Sequence, residues 1–277
     1  MLFSKSFKTN LLLLSALGFG MGAIVPLPSD AISFPSSTPS SGAPPRTASG
    51  APRRSGYCEP PQPRDLNGDG VIDKLTPMTA ITPTNNTISS FDKNPTFFIY
   101  LPESPANTAV ISVYEKLDGS PEKEVYFNDT LTVPRSIENG PRIAAYTLSD
   151  FALKPGRTYK WSFSLSCENE EHGLLQIATI GHVEGIISCQ NGCSIESKVP
   201  DLNQLTDEEV MQTALSYAKQ GFWDETVSLT AQLRQSNPEQ WLELLDSQGL
   251  ACFAEVPFSD ESDVDFTIED DPQCFVD

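Results

Sequence analysis

Between Asn94 and Pro102 the chain reads Asn-Pro-Thr-Phe-Phe-Ile-Tyr-Leu-Pro, five aromatic or aliphatic residues in a row with a proline on either side. The run is too short for a helix, and the prolines block one from extending through it. A continuous apolar run of this length is a strand buried on both faces, so the rest of the chain must cover Phe97 to Leu101 from two sides. The following residues supply partners. Residues 108–117 alternate, with Ile111, Val113, Glu115 and Leu117 on the core face and Val110, Ser112, Tyr114 and Lys116 on the other. Asp118-Gly119 is a hairpin signal that returns the chain through residues 124–127. Residues 131–133 and 143–148 add two strands, residues 75–81 lead in, and residues 83–94 read as a polar connection. Residues 157–167 alternate almost without a break. Tyr159, Trp161, Phe163 and Leu165 point inward, while Lys160, Ser162, Ser164 and Ser166 point to water. Residues 177–183 close the set. Seven or eight short strands at this spacing predict an antiparallel β-sandwich over residues 57–185.

Leu153-Lys-Pro-Gly-Arg-Thr-Tyr159 resembles the corner before the sixth strand of fibronectin type III and related immunoglobulin-like domains. That resemblance implies a structural Tyr159 whose hydroxyl bonds back to upstream backbone, and a Trp161 that belongs to the core. After a connector at residues 186–205, the period changes from two to helical. Thr206-Asp-Glu-Glu209 is a capping box, and Val210, Ala214, Tyr217 and Ala218 follow at helical spacing up to Gly221. A second helix is predicted over 224–236, and a third is capped by Asn237-Pro238, with Trp241, Leu244 and Leu245 inward and Gly249 as its stop. This order resembles a tetratricopeptide unit, with Thr226 standing where that family has Ala and no second full copy. A helical hairpin over 206–250, packed on the sandwich, is therefore the expectation, and the fold class is α+β. Residues 251–277 read as an acidic tail, with nine acidic and no basic side chains from Glu255 onward.

The ends and the cysteines speak about location. Lys5 and Lys8 precede an apolar run that breaks at Pro26, short of the roughly 20 residues of a membrane span. Ser29 and Ala31 have cleavage-site spacing, so residues 1–31 read as a signal peptide, giving an exported, periplasmic or extracellular protein. Residues 32–56, rich in Ser, Pro and Gly, read as a disordered linker. Six cysteines, Cys58, Cys167, Cys189, Cys193, Cys252 and Cys274, all lie beyond the signal and read as disulfides. Many connectivities are open; the preferred one joins Cys58 to Cys167, Cys189 to Cys193 and Cys252 to Cys274. Zinc has little support, since His172 and His182 are the only histidines. The net charge of −19 disfavours nucleic acid and anionic lipid and points to cationic or protein partners.

Asp65-Leu-Asn-Gly-Asp-Gly-Val-Ile-Asp73 is the sharpest chemical motif. Asp65, Asn67 and Asp69 take positions 1, 3 and 5 of a calcium loop, Gly70 the turn, Val71 the carbonyl position and Asp73 position 9. Thr76 replaces the bidentate Glu at position 12, so the loop resembles the free-standing loops of extracellular calcium modules. Structural calcium is the one cofactor expected. Enzyme motifs are missing: the chain has no Gly-x-Ser-x-Gly elbow, phosphate-binding glycine loop or paired zinc histidines. No catalytic residue is therefore assigned.

Several motifs recur in order: Gly56-Tyr-Cys58, Leu75-Thr76, Ala80 before Pro83, the Asn94–Pro102 run, the Gly156–Cys167 run, Tyr217 with Gly-Phe-Trp-Asp224, and Leu229 through Leu250. Together they resemble a cyanobacterial family of exported proteins, domain of unknown function 928. The resemblance spans about residues 56–250, leaves the calcium-type loop and the acidic tail as additions, and implies a Cys58–Cys167 pair. It carries no established activity. The expectation is an exported, non-enzymatic binding or adaptor protein of the cell envelope or exterior, without stable membrane insertion after signal cleavage. A carbohydrate-binding module and a carboxylate-dependent hydrolase are the alternatives. An accessible Trp beside a shallow groove would favour the first, and a cleft with an acidic pair the second.

Overall fold

The computed structural model describes residues 31–35, 65, 70, 76–106, 108–117, 119–133, 140–171, 174–189, 205–259, 272 and 274. The apolar run forms strand β3 (Thr96–Leu101), the middle of a three-stranded sheet, between β1 (Thr79–Ala80) and β6 (Arg142–Thr147). Both neighbours are antiparallel to it. Phe97 through Leu101 are all buried, and different layers cover the two faces. Phe97 stacks 4.7 Å from Trp161 of the second sheet. Phe98 and Tyr100 meet Phe258 and Phe253, at 6.0 and 4.8 Å.

That second cover corrects the start of the expected acidic tail, over residues 251–259. Phe253 and Val256 are fully buried. The Ile143 amide donates to Pro257 O and the Ser259 amide to Ile143 O, both at 2.9 Å, so residues 257–259 line the free edge of β6. The acidic count concealed a few apolar residues at the start of the segment, and these complete the core.

The second sheet has the order β2 (Thr87–Ser90), β8 (Leu174–Cys189), β7 (Thr158–Glu171), β4 (Thr108–Glu115), β5 (Lys123–Thr132). Its pairs are antiparallel except β2 with β8, so the sheet is mixed. Three expectations change. Residues 83–94 contain β2, a strand too short and polar to register as one. Residues 124–127 and 131–132 belong to one strand, β5, whose bulges against β4 absorb the irregular spacing. The last strand runs to Cys189, past the expected boundary at 185, because β2 and the residues before β7 hold its end. The β7 alternation holds. Tyr159, Trp161, Phe163 and Leu165 are at most 1 % exposed, and the Tyr159 hydroxyl accepts a hydrogen bond from the Lys154 amide at 3.1 Å.

Helices α1 (Asp207–Gln220), α2 (Trp223–Leu233) and α3 (Pro238–Asp246) follow, and share one core with the sheets. The Thr206 hydroxyl accepts from the Glu209 amide while the Glu209 carboxylate accepts from the Thr206 amide, a reciprocal cap. Gly221, with φ +79°, closes α1 in the left-handed region. Helix α2 docks through Trp223, whose indole N–H donates to Ile81 O at 3.1 Å. Of the stretch 32–56 expected as a disordered linker, residues 32–35 are described, and they are packed on the core. Ile32 and Phe34 are buried, as apolar side chains set in an otherwise small and polar stretch can be when a groove accepts them. No helix of the described residues is long and apolar enough to cross a membrane.

Candidate functional site

Side chains alternate along a strand, so Lys160, Ser162 and Ser164 of β7 lie on the sheet face away from Trp161. They share it with Val110, Ser112 and Tyr114 of β4 and with His182, Glu184 and Ile186 of β8. The register sets Ser164 opposite His182, Ser162 opposite Glu184 and Lys160 opposite Ile186. Directly opposed and diagonal neighbours on one face can interact, and four of these groups join. Ser164 Oγ lies 2.7 Å from His182 Nδ1, and His182 Nε2 lies 3.1 Å from Glu184 Oε1. Lys160 Nζ completes the row 2.9 Å from Glu184 Oε2. All four side chains are partly open to solvent. Burial pushes the Glu184 carboxyl up, but hydrogen bonds with His182 and Lys160 outweigh it and hold the group below its ordinary value. Phe127 of β5, opposite Ser112 and 53 % exposed, carries the same face to the sheet edge.

A hydroxyl, an imidazole and a carboxylate in line have the connectivity of a nucleophilic triad. Acyl transfer also needs N–H donors aimed at a developing oxyanion. Around Ser164, β7 is paired on one side to β4 and on the other to β8, so its amides are committed to the ladders. What the row offers is a partly exposed set of donors and acceptors on a sheet face that also carries the exposed ring of Phe127, groups suited to recognition.

A second ionisable cluster lies inside. Asp224 and Glu225 occupy the first turn of α2, where the helix dipole favours negative charge, and each is under 5 % exposed. Glu225 Oε1 accepts from Ser90 Oγ, the Phe91 amide and the Asp92 amide at 2.8, 2.9 and 2.9 Å. Asp224 Oδ1 accepts from the Thr96 amide at 3.2 Å. The two carboxylates thus bolt α2 to the turn between β2 and β3. Burial, then the charge of Glu225, pushes the Asp224 carboxyl well up, and burial pushes Glu225 up too. The pair is enclosed, and Glu225 Oε1 and Asp224 Oδ1 hold backbone amides of the neighbouring turn, which is an architectural use.

Of the calcium-type residues, Asp65 Oδ2 accepts from the Gly70 amide at 2.8 Å, and Gly70 has φ +85°, the turn such a loop requires. Asn67, Asp69, Val71 and Asp73 lie outside the described residues. Thr76, at position 12, is buried, and its hydroxyl accepts from the Cys274 amide at 2.9 Å. Cys252 and Cys274 are disulfide-bonded, with Cα atoms 5.8 Å apart. Cys167 and Cys189 are each disulfide-bonded, and Cys58, Cys193 and His172 lie outside the described residues. The three tryptophans, Trp161, Trp223 and Trp241, are all buried.

Sequence reasoning placed Ser164 on the open face but missed its row. Ser164 and His182 are 18 residues apart, and only the β7–β8 register brings them together. It also missed the Asp224–Glu225 pair, which reads as an ordinary acidic first turn.

No curated protein matches the chain. The family model described as Domain of Unknown Function (DUF928) matches residues 53–258. That span takes in both sheets and all three helices and ends on Phe258, the residue bridged to β6, while residues 31–35 precede it. The chain belongs to the DUF928 family.

Proposed function

We infer that the protein is an exported, non-enzymatic binding or adaptor protein of the cell envelope or exterior, which engages its partner through the open face of the five-stranded sheet. The observation that carries this reading is the row Lys160–Glu184–His182–Ser164, partly exposed beside Phe127. A partly exposed row on a sheet face suits a protein partner, whereas a small molecule calls for an enclosing concave site. The strand orders, with β1-β3-β6 in one sheet and β8-β7-β4-β5 in the other, support an immunoglobulin- or fibronectin-like sandwich. The Tyr159 hydroxyl bond at its corner supports the same fold. Helices α1 and α2, packed on one another, support a helical hairpin resembling a tetratricopeptide unit. The Cys252–Cys274 bond is compatible with an oxidising compartment, and the acidic surface favours a cationic or protein partner. Calcium at Asp65–Asp73 braces the amino-terminal end in this reading, supported by the Asp65–Gly70 turn. A millimolar calcium addition then raises the melting temperature of the parent and not of Asp69→Ala.

The test is a pull-down from envelope extract with the oxidised chain, run beside a Phe127→Asp/His182→Ala variant. The expected result is one stoichiometric protein captured by the parent and lost with the variant. Capture that survives the variant overturns the assignment to this face. Retention on purified glycan with no protein partner overturns the adaptor.

A further inference from the structure

The segment Ala31–Pro35 alternates in burial. Ile32 is fully buried and Phe34 is 9 % exposed, while Ala31, Ser33 and Pro35 face solvent. It belongs to neither sheet, yet its backbone is held at three points by polar side chains from the end of the helical region. The Ile32 amide donates to Gln240 Oε1 at 3.1 Å, and the Phe34 amide donates to Ser247 Oγ at 3.2 Å. Gln248 Nε2 donates to Phe34 O at 2.9 Å. Gln240 and Gln248 are themselves buried, at 3 and 2 % exposure. Gln248 Oε1 is fixed from behind by the Thr84 amide and hydroxyl, at 2.9 and 3.1 Å. Phe34 enters a slot edge-on to Trp223, with ring centroids 5.0 Å apart.

Buried amide side chains are costly unless every group is used, so aiming two of them and a hydroxyl at one short backbone is a built arrangement. It has the two components of extended-peptide recognition. Main-chain hydrogen bonds supply affinity for any sequence, and pockets for alternate side chains select among sequences. The groove residues, Trp223 to Gln248, lie within the span the family shares, whereas the segment that fills the groove lies before it.

We propose that this groove is a peptide-recognition site and that Ile32–Pro35 is its intramolecular occupant. A second polypeptide binds there by displacing it. The ligand class is an extended segment with an aliphatic residue and an aromatic two positions apart, both uncharged, and backbone N–H and C=O groups free to pair. The site is independent of the sheet-face reading above, because it uses none of the same residues.

The test titrates a fluorescein-labelled peptide of residues 31–37 against the oxidised parent chain and against an Ile32→Asp/Phe34→Asp variant, read by anisotropy. The expected result is saturable binding to the variant and at least tenfold weaker binding to the parent. Binding is lost when Gln248→Ala is added, or when the peptide carries Asp for both apolar residues. Should the double variant not fold, a parent carrying a protease site within residues 36–56 replaces it. After cleavage, the labelled peptide exchanges into the vacated groove. A folded variant or cleaved chain that shows no saturable binding overturns the proposal, and so does a parent that binds as tightly as the variant.

Discussion

Gly185 stands opposite Trp161 in the β7–β8 register, and a Cβ built on it would lie 2.5 Å from the indole nitrogen. The ring is fully buried and stacked against Phe97, so it has little room to give. Gly185→Ala is expected to lose about 1–3 kcal/mol, the usual cost of overpacking. A Cβ at Gly181 would meet mainly the flexible end of Met78, at 3.2 Å, so Gly181→Ala is expected to lose less. Urea midpoints measure both, and equal losses would show that Trp161 relocates freely. Asp224 gives a pH signature. Its folded-state carboxyl is raised, so the fold prefers the protonated form. The stability this contributes is complete below the unfolded carboxylate pKa, roughly 4, and is lost as pH rises through the raised folded value. Asp224→Asn keeps an oxygen acceptor for the Thr96 amide and removes the titration. The variant is therefore expected to exceed the parent in stability at pH 8, with the gap narrowing toward pH 5. A gap independent of pH would clear Asp224 of the effect. The two residues differ in how far the sequence exposed them. Trp161 was placed in the core by plain alternation. Asp224 reads as a solvated dipole partner, and only the turn between β2 and β3, docked from more than a hundred residues away, buries it.

Elements declared themselves where one periodicity ruled a long enough window. The reciprocal cap at Thr206 and Glu209, the stop at Gly221 and the alternation of β7 were all legible, because each rests on neighbours within a few residues. β2 was not, since four residues reading Thr-Ile-Ser-Ser show no period, and parallel pairing to β8 gives the strand its identity. The segment from Ala251 to Ser259 hid for a different reason: composition averaged over a 27-residue tail drowned Phe253, Val256 and Phe258 in carboxylates. Their packing on β3 and β6 predicts a sharp boundary for truncation. A chain ending at Ser259, with Cys252→Ser, is expected to fold, at a cost of about 2–5 kcal/mol for the lost disulfide. A chain ending at Leu250 leaves Tyr100 and Phe98 uncovered and is expected not to give a cooperative unfolding transition. Circular dichroism on denaturant titration separates the two, and cooperative unfolding of the shorter chain would remove residues 251–259 from the core.

For the whole molecule, the ladder also constrains covalent connectivity. Cys189 lies beside Arg157, its amide donating to Arg157 O at 3.2 Å. Arg157 immediately precedes β7, and Cys167 lies in that strand ten residues further along, so about 33 Å separates the two cysteines at strand rise. Both are disulfide-bonded and stand too far apart to bond each other, and with Cys252 and Cys274 paired the cysteines left are Cys58 and Cys193. Cys193 is four residues from Cys189 and reaches at most about 14 Å from it, even fully extended. It falls well short of Cys167, since disulfide-bonded Cα atoms stand only about 6 Å apart. The expected bonds are therefore Cys58–Cys167 and Cys189–Cys193, beside the Cys252–Cys274 bond. Together they would tie Cys58 to β7, close a small loop after β8 and tie the carboxyl-terminal segment to the residue after Ala251. Non-reducing proteolysis followed by mass spectrometry is expected to yield a peptide pair joining Cys58 to Cys167. A pair joining Cys167 to Cys193 would require β7 or β8 to end far short of its observed length, and would overturn the register on which the Ser164–His182 row depends.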